Sequence, residues 1–153
     1  MKPWLASTSA VVAGFLVTAL ASIAADAVMY STGIFSHSPR TMSATLFAMA
    51  AAYRALFTMA GGYVTARLAP DRPMRHAWIL AAIGQAAGIA GVVAWYVVGG
   101  AELGPAWYAI LIAAEAIPCV WIGALVATSQ RSQTSAIDAR GATRKDSSTT
   151  ASA

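Results

Sequence analysis

Charged residues are scarce in this chain. Of its 153 residues only 10% are Asp, Glu, Lys or Arg, whereas 58% are hydrophobic, and the mean hydropathy is +0.62. Soluble domains carry about 25% charged and about 45–50% apolar residues. The composition therefore excludes an ordinary soluble domain and indicates an integral membrane protein.

Cysteine is nearly absent, since Cys119 is the only one in the chain. One thiol excludes a disulfide framework and a cysteine-based metal site within one chain, so we interpret Cys119 as a small packing residue. His37 and His76 fall in or beside different connections on opposite sides of the membrane, and we expect both to be solvated loop residues. The sequence therefore predicts no metal site and no cofactor.

Signatures of catalysis and of nucleic-acid binding are also missing. The chain contains no Gly/Lys phosphate-binding loop, zinc-protease helix or nucleophile elbow. Its net charge of +4 lies mostly in connections and tail, where it indicates membrane topology rather than a nucleic-acid surface. We expect a protein that is not an enzyme, binds no nucleic acid and has the lipid bilayer as its surroundings.

Four long apolar runs are present. A transmembrane helix needs about 20 apolar residues, and the runs cover residues 7–30, 43–67, 76–98 and 106–127. They predict an all-α integral membrane four-helix bundle with short loops over residues 1–128. Residues 129–153 are rich in Ser, Thr and charges, and they are predicted to form a disordered cytoplasmic tail.

The first run allows a second interpretation. Lys2, the apolar stretch 10–20 and the small residues 22–24 also fit a secretory signal peptide with its cleavage site. Apolar residues resume after Asp26, which favours a retained helix. Retention and cleavage both stay open at this point.

Basic residues near the ends of the runs indicate the orientation. They precede the first run, lie between the second and third, and follow the fourth: Lys2, Arg67, Arg72, Arg75, Arg131, Arg140, Arg144 and Lys145. The other two connections carry Arg40 and the acid Glu102. By the positive-inside rule, both termini and the second connection are predicted to be cytoplasmic.

Three charged residues lie within the apolar runs. Such residues are costly in a bilayer and normally pair or face a cavity. At 1.5 Å per residue, Asp26, Glu115 and Arg54 lie roughly 5–8, 13 and 16–18 Å below the outer ends of their helices. We predict that these three side chains form an intramembrane charge cluster. The polar residues expected to support it are Tyr53, Gln85 and Ser22.

Three interpretations of these charges are open. In the favoured one, Arg54 and one or two acids form a structural staple that fixes which helices are neighbours. In the second, the acid that Arg54 does not hold is partly desolvated and loads and releases a proton. In the third, the charges are unconnected. The first predicts a structural or partner-binding membrane protein, and the second a small proton-linked carrier or exporter that acts as an oligomer.

Glycines in the third run predict a close helix–helix contact. Gly84, Gly88 and Gly91 recur at spacings of four and three, which lets two backbones approach closely. The contact could lie within the chain, in a homo-oligomer or with a membrane-protein partner.

Several of these motifs resemble an uncharacterised family of small four-span bacterial inner-membrane proteins. The residues that carry the likeness are Asp26, the pair Tyr53-Arg54 and the Ala-Arg-Leu-Ala-Pro…Arg-Pro-Met…His segment at 66–76. The resemblance covers the four spans and implies class and location, with no activity. Residues 61–75 are also similar to a signature of major-facilitator transporters, but Pro73 and Met74 replace an expected glycine and the chain has too few spans.

Overall fold

The chain folds into four long helices. The computed structural model describes residues 3–100 and 103–150, with side chains for 5–100 and 103–137. In these ranges the backbone contains no strand, and its elements are α1 (Pro3–Ser31), a 3-10 turn (Pro39–Thr41), α2 (Ala44–Leu68), α3 (Pro73–Val98) and α4 (Ala106–Thr150). The predicted all-α four-helix bundle is confirmed. Lys2 and Glu102, used above for orientation, lie outside the described residues.

Local sequence signals explain where the helices begin and end. The Ser43 side chain accepts a hydrogen bond from the Leu46 amide and caps the start of α2. Arg72 adopts a left-handed conformation (φ 44°), and Pro73 then opens α3 in the position that proline favours. Gly99, with φ 99°, ends α3 as a left-handed cap.

Each of the four helices is long and apolar enough to cross a membrane. The qualifying segments are Leu5–Ser31, Ala44–Leu68, Pro73–Val98 and Ala106–Ile137. Large apolar side chains cover the outside of the bundle, among them Leu20, Leu56 and Val97, which are 60%, 63% and 78% exposed. A soluble protein rarely exposes so much contiguous apolar surface. By length and composition, the chain is a multi-pass membrane protein.

The last helix continues well beyond the fourth apolar run. Disorder is predicted for residues 129–153, whereas helical backbone continues to Thr150. No proline follows Pro118, and the Ala, Gln, Arg and Lys residues of this segment favour helix. Residues 132–137 are exposed, as expected for a segment that buries little apolar surface, and residues 151–153 lie outside the described part of the chain.

Two residues beyond the predicted domain boundary contact α2. Gln130 Oε1 accepts a hydrogen bond from the Tyr63 hydroxyl at 2.8 Å. The Arg131 guanidinium donates to the carbonyl oxygens of Arg67 and Ala69 at the end of α2, the latter at 3.2 Å. These carbonyls have no partner within their own helix, so Arg131 satisfies them as a capping side chain. Gln130 and Arg131 therefore attach the start of the predicted tail to α2.

One apolar core joins all four helices near the connection between α2 and α3. Its buried members are Val11, Ala66, Ala77, Leu80, Ala81, Val120, Ala124 and Ala127. Only Val11 represents α1, so α1 joins this core through its first half. The structure corrects the expectation for His76, which is 7% exposed and lies beside the core with Nδ1 3.3 Å from the Arg72 carbonyl oxygen. His37 is exposed and Cys119 is buried, as predicted.

Small residues bring α1 and α2 into backbone contact. A Cβ atom at Gly14 would overlap the Thr65 side chain, and one at Gly61 would overlap the Thr18 side chain. The two Gly-xxx-Thr pairs therefore pack reciprocally. Thr18 Oγ1 also bonds to the carbonyl oxygens of Gly14 and Phe57, each at 3.2 Å. Such crossings are typical of membrane helices, where close packing replaces hydrophobic exclusion.

A second close crossing joins α2 and α4. A Cβ atom at Gly62 would overlap the backbone of Val120, and one at Gly123 would overlap the backbone of Met59 and Tyr63. Backbone atoms in packed helices cannot yield to an added methyl group without moving the helices apart. Both glycines are therefore required by the crossing.

We expect Gly123→Ala to destabilise the protein by about 1–3 kcal/mol, the usual cost of overpacking. Gly91→Ala is the matched control, because nothing lies within 4 Å of a Cβ atom at Gly91. Thermal unfolding in mild detergent should show a lower midpoint for Gly123→Ala and an unchanged or higher one for Gly91→Ala. Equal midpoints for the two variants would contradict the α2–α4 crossing.

Candidate functional site

An ion pair inside the membrane-spanning region joins α1 to α2. Arg54 Nη2 donates to Asp26 Oδ2, and the Tyr53 hydroxyl donates to Asp26 Oδ1. Tyr53 and Arg54 are consecutive residues, about 100° apart around an α-helix, so the carboxylate lies between their two side chains. The pair is partly shielded, with the Arg54 and Asp26 side chains 33% and 26% exposed.

The position of Arg54 on α2 explains why it meets α1. Gly61 and Thr65 follow Arg54 by seven and eleven residues, which places all three within about 20° of one face at 3.6 residues per turn. Gly61 and Thr65 pack against α1. Arg54 therefore points toward the same helix. Its Nε atom is buried without a hydrogen-bond partner among the described residues. Asp26 is therefore the main group that neutralises the guanidinium charge.

The third charged residue, Glu115, is half-buried on α4 and stands apart from this pair. Within the described ranges, Glu115 forms no hydrogen bond and no ion pair at 4.0 Å or less, whereas both Asp26 oxygens are engaged. Arg54 thus pairs with Asp26 of α1 and not with Glu115 of α4. The two acids occupy different chemical environments, although both line one cavity.

The cavity lies between α1 and α3, with α2 and α4 behind it. Its volume is about 630 Å³, inside the range of about 300–1,000 Å³ that is typical of small-molecule sites. α1 packs mainly on α2, and α3 mainly on α4, so a gap separates α1 from α3 beyond the core. Most of the lining is apolar or small, including Phe15, Ile23, Ala87 and Ile112.

The polar groups of the cavity are few. Its ionisable lining residues are Asp26, Arg54, Tyr108 and Glu115. One positive and two negative charges leave the lining with a formal charge of −1 when both acids are ionised. Asp26 and Arg54 form a direct ion pair, whereas Glu115 has no ion-pair partner within 4.0 Å among the described residues and interacts with Arg54 only at longer range.

Aromatic residues line the end of the cavity nearest the connection between α3 and α4. Tyr108 packs against Phe47, with ring centroids 5.1 Å apart. Trp95 is held by a hydrogen bond from its Nε1 to the Gly104 carbonyl oxygen at 2.8 Å. Both rings are therefore fixed where they border the cavity.

The remaining predicted site residues divide between the cavity and other places. Ser22 lines the cavity, and Gln85 is half-buried but is not among the lining residues. Gly84 and Gly88 line the cavity and also pack on α4, where a Cβ atom at Gly88 would lie 2.7 Å from Ala113 Cα. Their close contact is therefore within this chain. Gly91 borders open space in the cavity.

Sequence reasoning missed four glycines at the closest crossings, Gly14, Gly61, Gly62 and Gly123, and it missed the role of Tyr108 in the cavity. The Gly-xxx-Thr spacing, present in both α1 and α2, was the available signal for the first two. In the part of the chain that the structure describes, no group of three or more His, Cys, Asp or Glu residues is placed to hold a metal ion.

No protein-family model, no curated protein and no solved structure matches this chain. The resemblance to small four-span bacterial proteins stays a prediction. The class that the fold and cavity define is a helical multi-pass membrane protein. Of the described acids that line its cavity, Asp26 is ion-paired and Glu115 is not.

Proposed function

We propose that the protein is a non-enzymatic, membrane-embedded binding protein that takes a small amphipathic molecule into the cavity between α1 and α3. The observation that carries this proposal is a cavity of about 630 Å³ whose lining, in the described part of the chain, is mostly apolar and includes one acid without a direct ion pair, Glu115. Ligand sites generally combine an apolar lining with a few placed polar groups. The Asp26–Arg54–Tyr53 contact serves as the staple that holds α1 against α2.

The location proposed is the inner membrane of a bacterium, with both termini cytoplasmic. The four membrane-length helices support residence in a membrane, and the distribution of Lys and Arg supports the orientation. The bacterial inner membrane is what the resemblance to small four-span bacterial proteins implies. Under this orientation the α2–α3 connection and the core beside it lie toward the cytoplasm. The cavity then occupies the middle and outer parts of the membrane.

Filling the cavity should abolish binding. Gly91 borders open space, so the side chain of a Gly91→Leu variant would enter the cavity. Ala90→Leu is the control, because Ala90 is exposed on the same helix and does not line the cavity. Equilibrium dialysis of detergent-solubilised protein against tetraphenylphosphonium and tetraphenylborate should show saturable binding of at least one probe. Gly91→Leu should remove this binding and Ala90→Leu should retain it.

A proton-linked carrier that acts as an oligomer is the second candidate. Glu115 favours it, because an ionised carboxylate without a partner in an apolar setting needs a cation or a proton to compensate its charge. Reconstituted protein would then move a substrate across liposomes in response to a pH gradient. Glu115→Gln should stop this flux, and flux that persists in the variant would remove the carrier from consideration.

A further inference from the structure

The charge of the cavity narrows the class of ligand. We propose, building on the function above, that the site selects lipophilic monocations, with Glu115 as the counter-ion of the bound ligand. An apolar body would occupy the space between α1 and α3, and its cationic group would lie beside the Glu115 carboxylate.

The first argument for a cationic ligand is charge complementarity. The positive charge of Arg54 is already matched by Asp26 in a direct ion pair. Among the described residues, Glu115 has no such partner and is the only other acid that lines the cavity. A ligand with one positive charge therefore neutralises the site, whereas an anion would add to the charge of Glu115.

The second argument, for a lipophilic ligand, is the apolar lining of the cavity. Small residues of α3, among them Ala87 and Gly91, leave the space open, and Phe15 and Ile23 of α1 face it from the other wall. These side chains offer contacts to hydrocarbon or aromatic rings and few hydrogen bonds. A strongly hydrated ion such as a simple metal cation would gain nothing from them, because it would lose its water shell to an apolar surface.

Aromatic residues add a third element. Tyr108 and Trp95 border the same cavity, and aromatic rings attract cations that have lost their water. The hydrogen bond from Trp95 to Gly104 and the packing of Tyr108 on Phe47 hold both rings in place before a ligand arrives. Rings that are already fixed lose little freedom on binding.

A matched pair of probes tests the selection. Tetraphenylphosphonium and tetraphenylborate have nearly the same shape and opposite charge. Their binding to the protein in detergent is measured by equilibrium dialysis, and uptake by protein-free micelles of the same detergent is subtracted as the background. We expect the cation to bind at least about tenfold more tightly than the anion, a ratio that is resolved readily from the two dissociation constants.

The Glu115→Gln variant should lose this preference while the circular-dichroism spectrum and the elution volume stay those of the parent protein. If the parent binds the two probes with equal affinity and Gly91→Leu abolishes the binding of both, cation selection is wrong and the binding function stands. Binding of neither probe would overturn both proposals. A cation preference that survives in Glu115→Gln would overturn the role of Glu115.

Discussion

Replacing Asp26 with alanine is expected to destabilise the protein by about 3 kcal/mol, the lower end of the cost of breaking a buried ion pair. The substitution removes the partner of Arg54 and leaves a guanidinium uncompensated inside the membrane-spanning region. It also leaves the Tyr53 hydroxyl without its acceptor. Thermal or denaturant unfolding in mild detergent measures the loss.

A double variant tests whether Asp26 and Arg54 stabilise the protein as a pair. Arg54→Met removes the stranded charge, so Asp26→Ala combined with Arg54→Met should recover stability relative to Asp26→Ala alone. Residues in direct contact show such coupling, typically about 0.5–3 kcal/mol. Additive losses would show that Asp26 and Arg54 act independently, in conflict with the staple.

The opposite result is expected at the second acid. Glu115→Met should stabilise the protein by about 1–3 kcal/mol, the cost of keeping a polar group without a hydrogen bond in an apolar place. Methionine keeps a similar length and removes the charge. Glu115 contributes no ion pair or hydrogen bond among the described residues, so the substitution breaks nothing that the structure holds together.

The same unfolding experiment measures the gain in stability of Glu115→Met. Glu115→Gln is the control, because it removes the charge and keeps a polar side chain. We expect Glu115→Gln to fall between the parent and Glu115→Met. Proteins commonly retain groups that reduce stability where binding requires them. A clear loss of stability in Glu115→Met would show that Glu115 is a structural partner and would contradict its role as a free acid.

The broad architecture could be predicted from the sequence because apolar runs of membrane length leave few alternatives. Runs at 43–67 and 106–127 correspond to α2 and to the apolar part of α4. Composition indicates how much apolar surface a segment can bury, and it separates the exposed residues 132–137 from the apolar spans. It does not exclude helix where no proline intervenes, and it cannot foresee individual contacts such as that of Arg131 with the end of α2.

The charge pair was only partly accessible from the sequence. Depth along the helices puts Arg54 nearer to Glu115, roughly 3–5 Å apart, than to Asp26 at roughly 8–13 Å. Arg54 nevertheless pairs with Asp26. Depth does not tell in which direction a side chain points. Arg54 lies on the same face of α2 as Gly61, which packs against α1, so Arg54 points toward α1 and meets Asp26 there.

The cavity could not be predicted from one sequence at all. It depends on how far α1 and α3 separate beyond the core, and separation is a property of packing rather than of periodicity. The spacing of Gly84, Gly88 and Gly91 in α3 predicts a close helix–helix contact. Gly84 and Gly88 do make it, with α4, and Gly91 instead leaves the cavity open.

In the proposed function the two acids have different roles, with Asp26 holding α1 against α2 and Glu115 binding the ligand. The most direct test is thermal unfolding of the parent protein and of Glu115→Gln, each with and without tetraphenylphosphonium. We predict that the variant is at least as stable as the parent without the probe, and that the parent gains more stability than the variant when the probe is added. A variant that is less stable without the probe, or that gains as much as the parent with it, would contradict this division of work.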